Sequence, residues 1–163
     1  MKQTGQRFLI YSFLGWMLEG MFQFAKEGTF RKPNFLHGPV KPMYGVAGVL
    51  LTNSYRYDRR HFGYYCVCLP LMVEYISAMW LERSFALKYW DYSKEFLQMG
   101  GRICFKFAVC WFILAQFVAR CVQPMVNVLL RITGRLSVWR TFFQLFFLDC
   151  VLTIHHRKKT ASN

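Results

Sequence analysis

Apolar residues in this chain run in long blocks, each bounded by cations. Residues 8–25 lie between Arg7 and Lys26, and residues 62–85 follow Arg59, Arg60 and His61. Residues 103–122 follow Arg102, and residues 136–154 end against His155, His156, Arg157, Lys158 and Lys159. Each block approaches the roughly 20 apolar residues that a bilayer-crossing helix needs. Residues 39–55 form a weaker block that holds Pro39, Lys41, Pro42, Gly45 and Gly48. The pattern predicts an all-α, polytopic helical membrane protein. It has about five transmembrane helices, with helix 2 short and broken, in one integral membrane domain over 1–163.

Composition supports this reading. Hydrophobic residues make up 55% of the 163 positions and aromatic residues 19%, which excludes disorder. A soluble domain of this size would have to hide 17 Phe, 9 Tyr and 5 Trp in one core. Six Cys are too few and too scattered for a disulfide-stapled module. The first apolar block contains Glu19 and lacks a small-residue cleavage site, so it is expected to stay as an anchor.

The formal charge of +13 suggests nucleic acid at first sight. The cations are spread over every loop, however, and form no single stripe. A lipid bilayer with anionic headgroups explains them better, and no nucleic-acid partner is expected. The two sets of loops carry nearly equal charge. Arg157, Lys158 and Lys159, directly beside a block, favour a cytoplasmic C-terminus. The expected location is the cell membrane, as a multi-pass protein.

The acidic residues carry the functional signal. Glu19, Glu74, Glu82 and Asp149 each lie in the second half of an apolar block. If helix 2 crosses, helices 1, 3 and 5 run parallel and all four carboxylates fall toward one face. His37, Lys41, Tyr44, Asp91 and Arg102 then join that layer. An ionised group within a span costs roughly 2.5–3.5 kcal/mol on insertion scales, so such residues are paired or face water. The expected site is a polar, carboxylate-lined pocket. Glu19, Glu74, Glu82, Asp91, Asp149 and Arg102 line it, and His37, Gly38, Pro39 and Tyr44 shape its mouth. The bland alternative is snorkelling at the interface, with Glu19–Arg102 as a structural pair.

Two loops feed the layer. Residues 35–45 are dense in Gly and Pro, so they cannot be helical throughout. The helix start that follows offers N–H groups to an anion. In the second loop, Trp90, Tyr89 and Tyr92 suit an interface, and Asp91 suits a turn cap. A weak internal repeat is visible: Trp16 precedes Glu19 and Trp80 precedes Glu82, with a polar loop and a helix after each. Such two-helix units would be related by an axis along the membrane normal.

These motifs resemble the CmpB family of bacterial membrane proteins, classed as ABC-transporter type IV. The likeness runs through Trp16-Met17-Leu18-Glu19, residues 35–45, Trp80-Leu81-Glu82, Trp90-Asp91-Tyr92-Ser93, Gly101-Arg102-Ile103-Cys104, and Asp149 with Thr153. It covers about Phe8 to Thr153. It implies a permease-like protein and strengthens the repeat. The chain departs from the pattern at His37, where the family usually has Asn before Gly-Pro. It departs again at Gly100, where a polar side chain is lost. No G-x-x-x-x-G-K-[ST] phosphate loop occurs, so an ATPase would be a separate subunit.

The expected function is to bind or move a small polar solute or a lipid headgroup. Alternatives are a membrane-embedded enzyme acting on headgroups, with His37 or Glu19 as base and Arg102 or Lys41 for the phosphate, and a structural partner without a solute pathway. No cofactor is expected and no metal. Cys66 and Cys68 lack zinc spacing, and a hard cation on Glu19, Glu74 and Asp149 is the less favoured alternative. A homo-oligomer fits, because five short helices enclose little volume.

Overall fold

The computed structural model describes residues 2–30 and 34–161. Arg31, Lys32 and the end of the polar tail lie outside the described residues. Five continuous helices are described: α1 (Lys2–Glu27), α2 (Pro42–Tyr57), α3 (Phe62–Phe85), α4 (Phe105–Thr133) and α5 (Val138–Ala161). The protein is all-α apart from two-residue strands, β1 (Gln98–Met99) and β2 (Ile103–Cys104), which pair antiparallel. Among the described residues, three helices are long and apolar enough to cross a membrane: Gln3–Glu27, Phe62–Phe85 and Phe105–Thr133. With 16 residues α2 is too short for that class, and Arg140 and Asp149 interrupt the apolar run of α5.

Helix 2 is not broken. Its helical part begins at Pro42, a residue that suits the first helical position because its missing N–H would be unbonded there anyway. The irregular backbone lies wholly before it, so the start moves from Pro39 to Pro42. Helix 4 runs on to Thr133 rather than ending near Val122. Pro124 cannot donate to the helical ladder, yet the helix continues. A π-helical turn over Val118–Val122 takes up the misfit, with the Gln123 N–H reaching back to the Val118 carbonyl. Helix 3 ends at Phe85 because Ala86 turns left-handed at φ 53°. The Ala86 and Leu87 N–H groups then close onto the Glu82 and Leu81 carbonyls.

The chain divides into two compact units, Met1–Gly45 with Val128–Asn163, and Val46–Asn127. In the first, α1 and α5 run parallel: Gly5 faces the Phe143 ring, and the Phe8 and Phe146 rings meet edge-on at 5.4 Å. The α1–α2 connection doubles back along α1. The Lys41 N–H bonds the Ser12 carbonyl at 3.0 Å, 15 residues or about 22 Å before the end of α1. Gly15 and Gly45 allow this approach. A β-carbon at Gly15 would collide with the Tyr44 ring, and one at Gly45 with Ser12 and Phe8.

In the second unit, α3 and α4 pack antiparallel. The Gln116 amide reaches the Cys66 sulfur at 3.5 Å, and Trp111 reaches Glu74. The core joins Leu51 and Phe62 to Cys66, Ala115 and Ala119. Ala115 and Ala119 are one turn apart, and such small residues let helix backbones come close.

Candidate functional site

Each unit holds a loop against a helix through carboxylates. In the first unit the doubled-back loop exposes backbone polar groups half way along an apolar helix. Unsatisfied groups there would cost several kcal/mol each. Asp149 on α5 resolves this: Oδ1 accepts the His37 N–H at 3.1 Å and Oδ2 the Gly38 N–H at 2.9 Å. The Thr153 hydroxyl, one turn on and fully buried, donates to Oδ1 at 3.2 Å. The His37 ring meets Thr153 at 2.7 Å and Asp149 at 3.3 Å, both through Nδ1. Asn34 bonds the Gly38 and Val40 carbonyls at 3.0 Å each. The loop therefore does bind a carboxylate, but through His37 and Gly38 rather than the α2 start, and the carboxylate is the chain's own. In the same unit, Lys41 forms a half-buried ion pair with Glu19.

In the second unit Glu74 is buried on α3. Its Oε1 accepts the Tyr92 hydroxyl at 3.0 Å and its Oε2 the Trp111 indole N–H at 2.8 Å. That carboxylate ties the α3–α4 loop and α4 to α3. Tyr92 also stacks on Phe107, with centroids 4.7 Å apart. Two turns on, about 12 Å along the helix, Glu82 binds Arg102. Nε and Nη2 both donate to Oε2, at 3.0 and 2.5 Å. The guanidinium lies over Tyr75, 5.5 Å from the ring centroid, and the Trp90 indole holds the Arg102 carbonyl at 3.0 Å. Asp91 caps a turn, accepting the Ser93 N–H at 3.0 Å and hydroxyl at 2.5 Å, with Lys88 at 2.9 Å. The Ser93 hydroxyl and then Lys88 hold the Asp91 carboxyl well below the usual carboxylate range.

The residues singled out in the sequence thus sort into local sets. Glu19, His37, Gly38, Pro39, Tyr44 and Asp149 belong to the first unit, and Glu74, Glu82, Asp91 and Arg102 to the second. The pair imagined between Glu19 and Arg102 is replaced by Glu19–Lys41 and Glu82–Arg102. The reason is sequence distance. In each case the cation stands shortly before the next helix, 22 residues after Glu19 and 20 after Glu82, so the loop delivers it back. Sequence reasoning missed Asn34, Ser12 and Trp111. Asn34 carried a readable signal, since Asn side chains favour turns by hydrogen-bonding nearby backbone. Trp111 carried none within its apolar run. Among the described residues there is no group of three or more His, Cys, Asp or Glu that could hold a metal ion.

Long apolar helices, carboxylates placed along them and loops clamped to them define a helical membrane protein. The chain belongs to the family described as "Putative ABC-transporter type IV", whose model matches residues 6–154. No curated protein and no solved structure matches it.

Proposed function

We propose that the chain is the permease-like, membrane-embedded subunit of an ABC-type transporter, powered by an ATPase on a separate polypeptide. Family membership over nearly the whole chain supports the transporter class. The observation that carries the permease reading is the Asp149 clamp, a charged group and an irregular loop half way along an apolar helix. Membrane proteins keep such costly features chiefly along substrate or ion paths. In this reading α1, α3, α4 and α5 cross the cell membrane, and the 35–41 loop together with α2 makes the return between α1 and α3, as in a multi-pass protein. Glu19, His37, Gly38, Pro39, Tyr44 and Asp149 in the first unit, and separately Glu74, Glu82, Asp91 and Arg102 in the second, supply polar groups for a small polar solute or a lipid headgroup. An incoming anion displaces Glu19 from Lys41 or Glu82 from Arg102. The recurring clasp of a loop cation on a preceding glutamate supports a repeat of two-helix units.

The test is ATP turnover. The chain is cross-linked and purified from its native membranes, and any ATPase recovered is reconstituted with and without it in vesicles. The proposal expects the chain to change that turnover severalfold, and Glu19→Gln or Arg102→Ala to abolish the change without loss of insertion. Recovery without an ATPase, or turnover indifferent to the chain, contradicts it.

A further inference from the structure

The hairpin between α3 and α4 carries a cation set up for a ligand. Arg102 is oriented from four directions: by Glu82, by the Tyr75 ring, by the Trp90 indole on its carbonyl, and by its own N–H on the Met99 carbonyl at 3.1 Å. Both bonds to Glu82 leave from the Nε–Nη2 edge. The guanidinium is planar, so Nη1 lies on the far edge. There it stands beside Gly100, where a β-carbon would come within 2.8 Å of it. Gly100 is exposed and left-handed at φ 58°, and, lacking a β-carbon, it sets no side chain of its own over Nη1. The Arg102 side chain keeps 26% of its surface exposed.

The surroundings narrow the ligand. Phe96, Leu97, Met99 and Phe105 are exposed by 74, 68, 61 and 55%. Leu97 is held left-handed at φ 48°, a strained conformation for a branched side chain. The exposed Lys94 makes no ion pair among the described residues, and Lys88, Arg102 and Lys106 share the segment with only Asp91 and Glu95. A free phosphate would use the cations and leave the apolar finger bare. A phosphate ester with acyl chains uses both: the guanidinium edge takes the phosphate oxygens, and the apolar side chains lie beside the hydrocarbon.

We propose that the Gly100–Arg102 turn is a binding site for the phosphate of an anionic lipid. This deepens the headgroup reading above and rests on the chain's place in a bilayer. It does not depend on an ATPase.

The test uses the full chain alone, in nanodiscs of phosphatidylcholine doped with phosphatidylglycerol, with retained lipid counted by native mass spectrometry. Gly100→Asn keeps the left-handed turn, because Asn tolerates that conformation, and sets a side chain over Nη1. It should cut phosphatidylglycerol retention about tenfold, the weight of one charge-assisted hydrogen bond, with thermal unfolding unchanged. Arg102→Lys, which keeps the charge and loses the planar edge, should also cut that retention about tenfold, and it carries the test if the first variant does not fold. Excess inorganic phosphate should not displace the lipid. Unchanged lipid preference in the folded variants overturns the site, and ready displacement by inorganic phosphate overturns its assignment to lipid. Either failure leaves the ATP-turnover test standing, and the reverse also holds.

Discussion

Replacing Asp149 should release the doubled-back loop. Its carboxylate accepts two backbone N–H groups, at 3.1 and 2.9 Å, and the Thr153 hydroxyl. The side chain is 16% exposed, so water screens these bonds little. Hydrogen bonds to a charged group contribute about 1.5–3 kcal/mol each, and an orphaned buried donor costs about 1–3 kcal/mol. Asp149→Ala orphans both N–H groups. The two orphaned donors together set an expected cost of about 2–6 kcal/mol. Asp149→Asn retains one acceptor oxygen and should cost about half as much. Thr153→Val should cost less still, about 1 kcal/mol. Unfolding in mixed detergent micelles gives the order, and hydrogen exchange over residues 35–41 gives the place. Asp149→Ala should speed exchange there severalfold more than at the α5 amides. Wild-type unfolding together with unchanged loop exchange would refute the reasoning.

Other consequences follow the same contacts. Tyr92→Phe and Trp111→Phe each remove one donor from buried Glu74 and should destabilise by about 1–3 kcal/mol, with a non-additive double mutant in an unfolding cycle. Gly45→Ala drives a β-carbon into Ser12 and Phe8 and should cost about 1–3 kcal/mol, read as a lowered melting midpoint. The folded Asp91 carboxyl titrates below its unfolded value, so its support for the 88–93 turn is present above the ordinary carboxylate range. It is lost only as pH falls through the lowered folded value. Exchange at the Ser93 amide should therefore stay slow from neutral to mildly acidic pH, after correction for intrinsic rates. Loss of that protection near pH 6 would contradict the assignment.

Helix 3 was legible to the residue, because Arg59, Arg60 and His61 and the polar stretch after Phe85 bound a run of full membrane length. Residues 35–45 read as not helical throughout from their Gly and Pro; the structure keeps residues 35–41 irregular and starts the helix at Pro42. Their depth along α1 was not legible, since it rests on one backbone bond from Lys41 to Ser12 and on two glycines meeting bulky side chains. The end of α4 was placed at residue 122, short of its actual end at Thr133. A π-turn that carries a helix past proline leaves no mark in the apolar pattern. The carboxylates were found by their cost, which composition shows. Their partners depend on where loops return, and spacing alone does not show that. The 98–104 hairpin also went unread, because Leu97, Gly100 and Gly101 take left-handed angles that only the paired backbone reveals.

The account depends most on the 35–41 loop lying inside the bilayer. The direct test is its depth. A fluorophore is placed on Pro39→Cys, an exposed position, in a background with the six native cysteines replaced. Quenching is compared between lipids spin-labelled in the headgroup and lipids labelled along the acyl chain. The account predicts stronger quenching from the acyl chain, placing residue 39 well below the phosphate plane and deeper than a label on Arg59. Quenching mainly from the headgroup, at the same depth as Arg59, would contradict it.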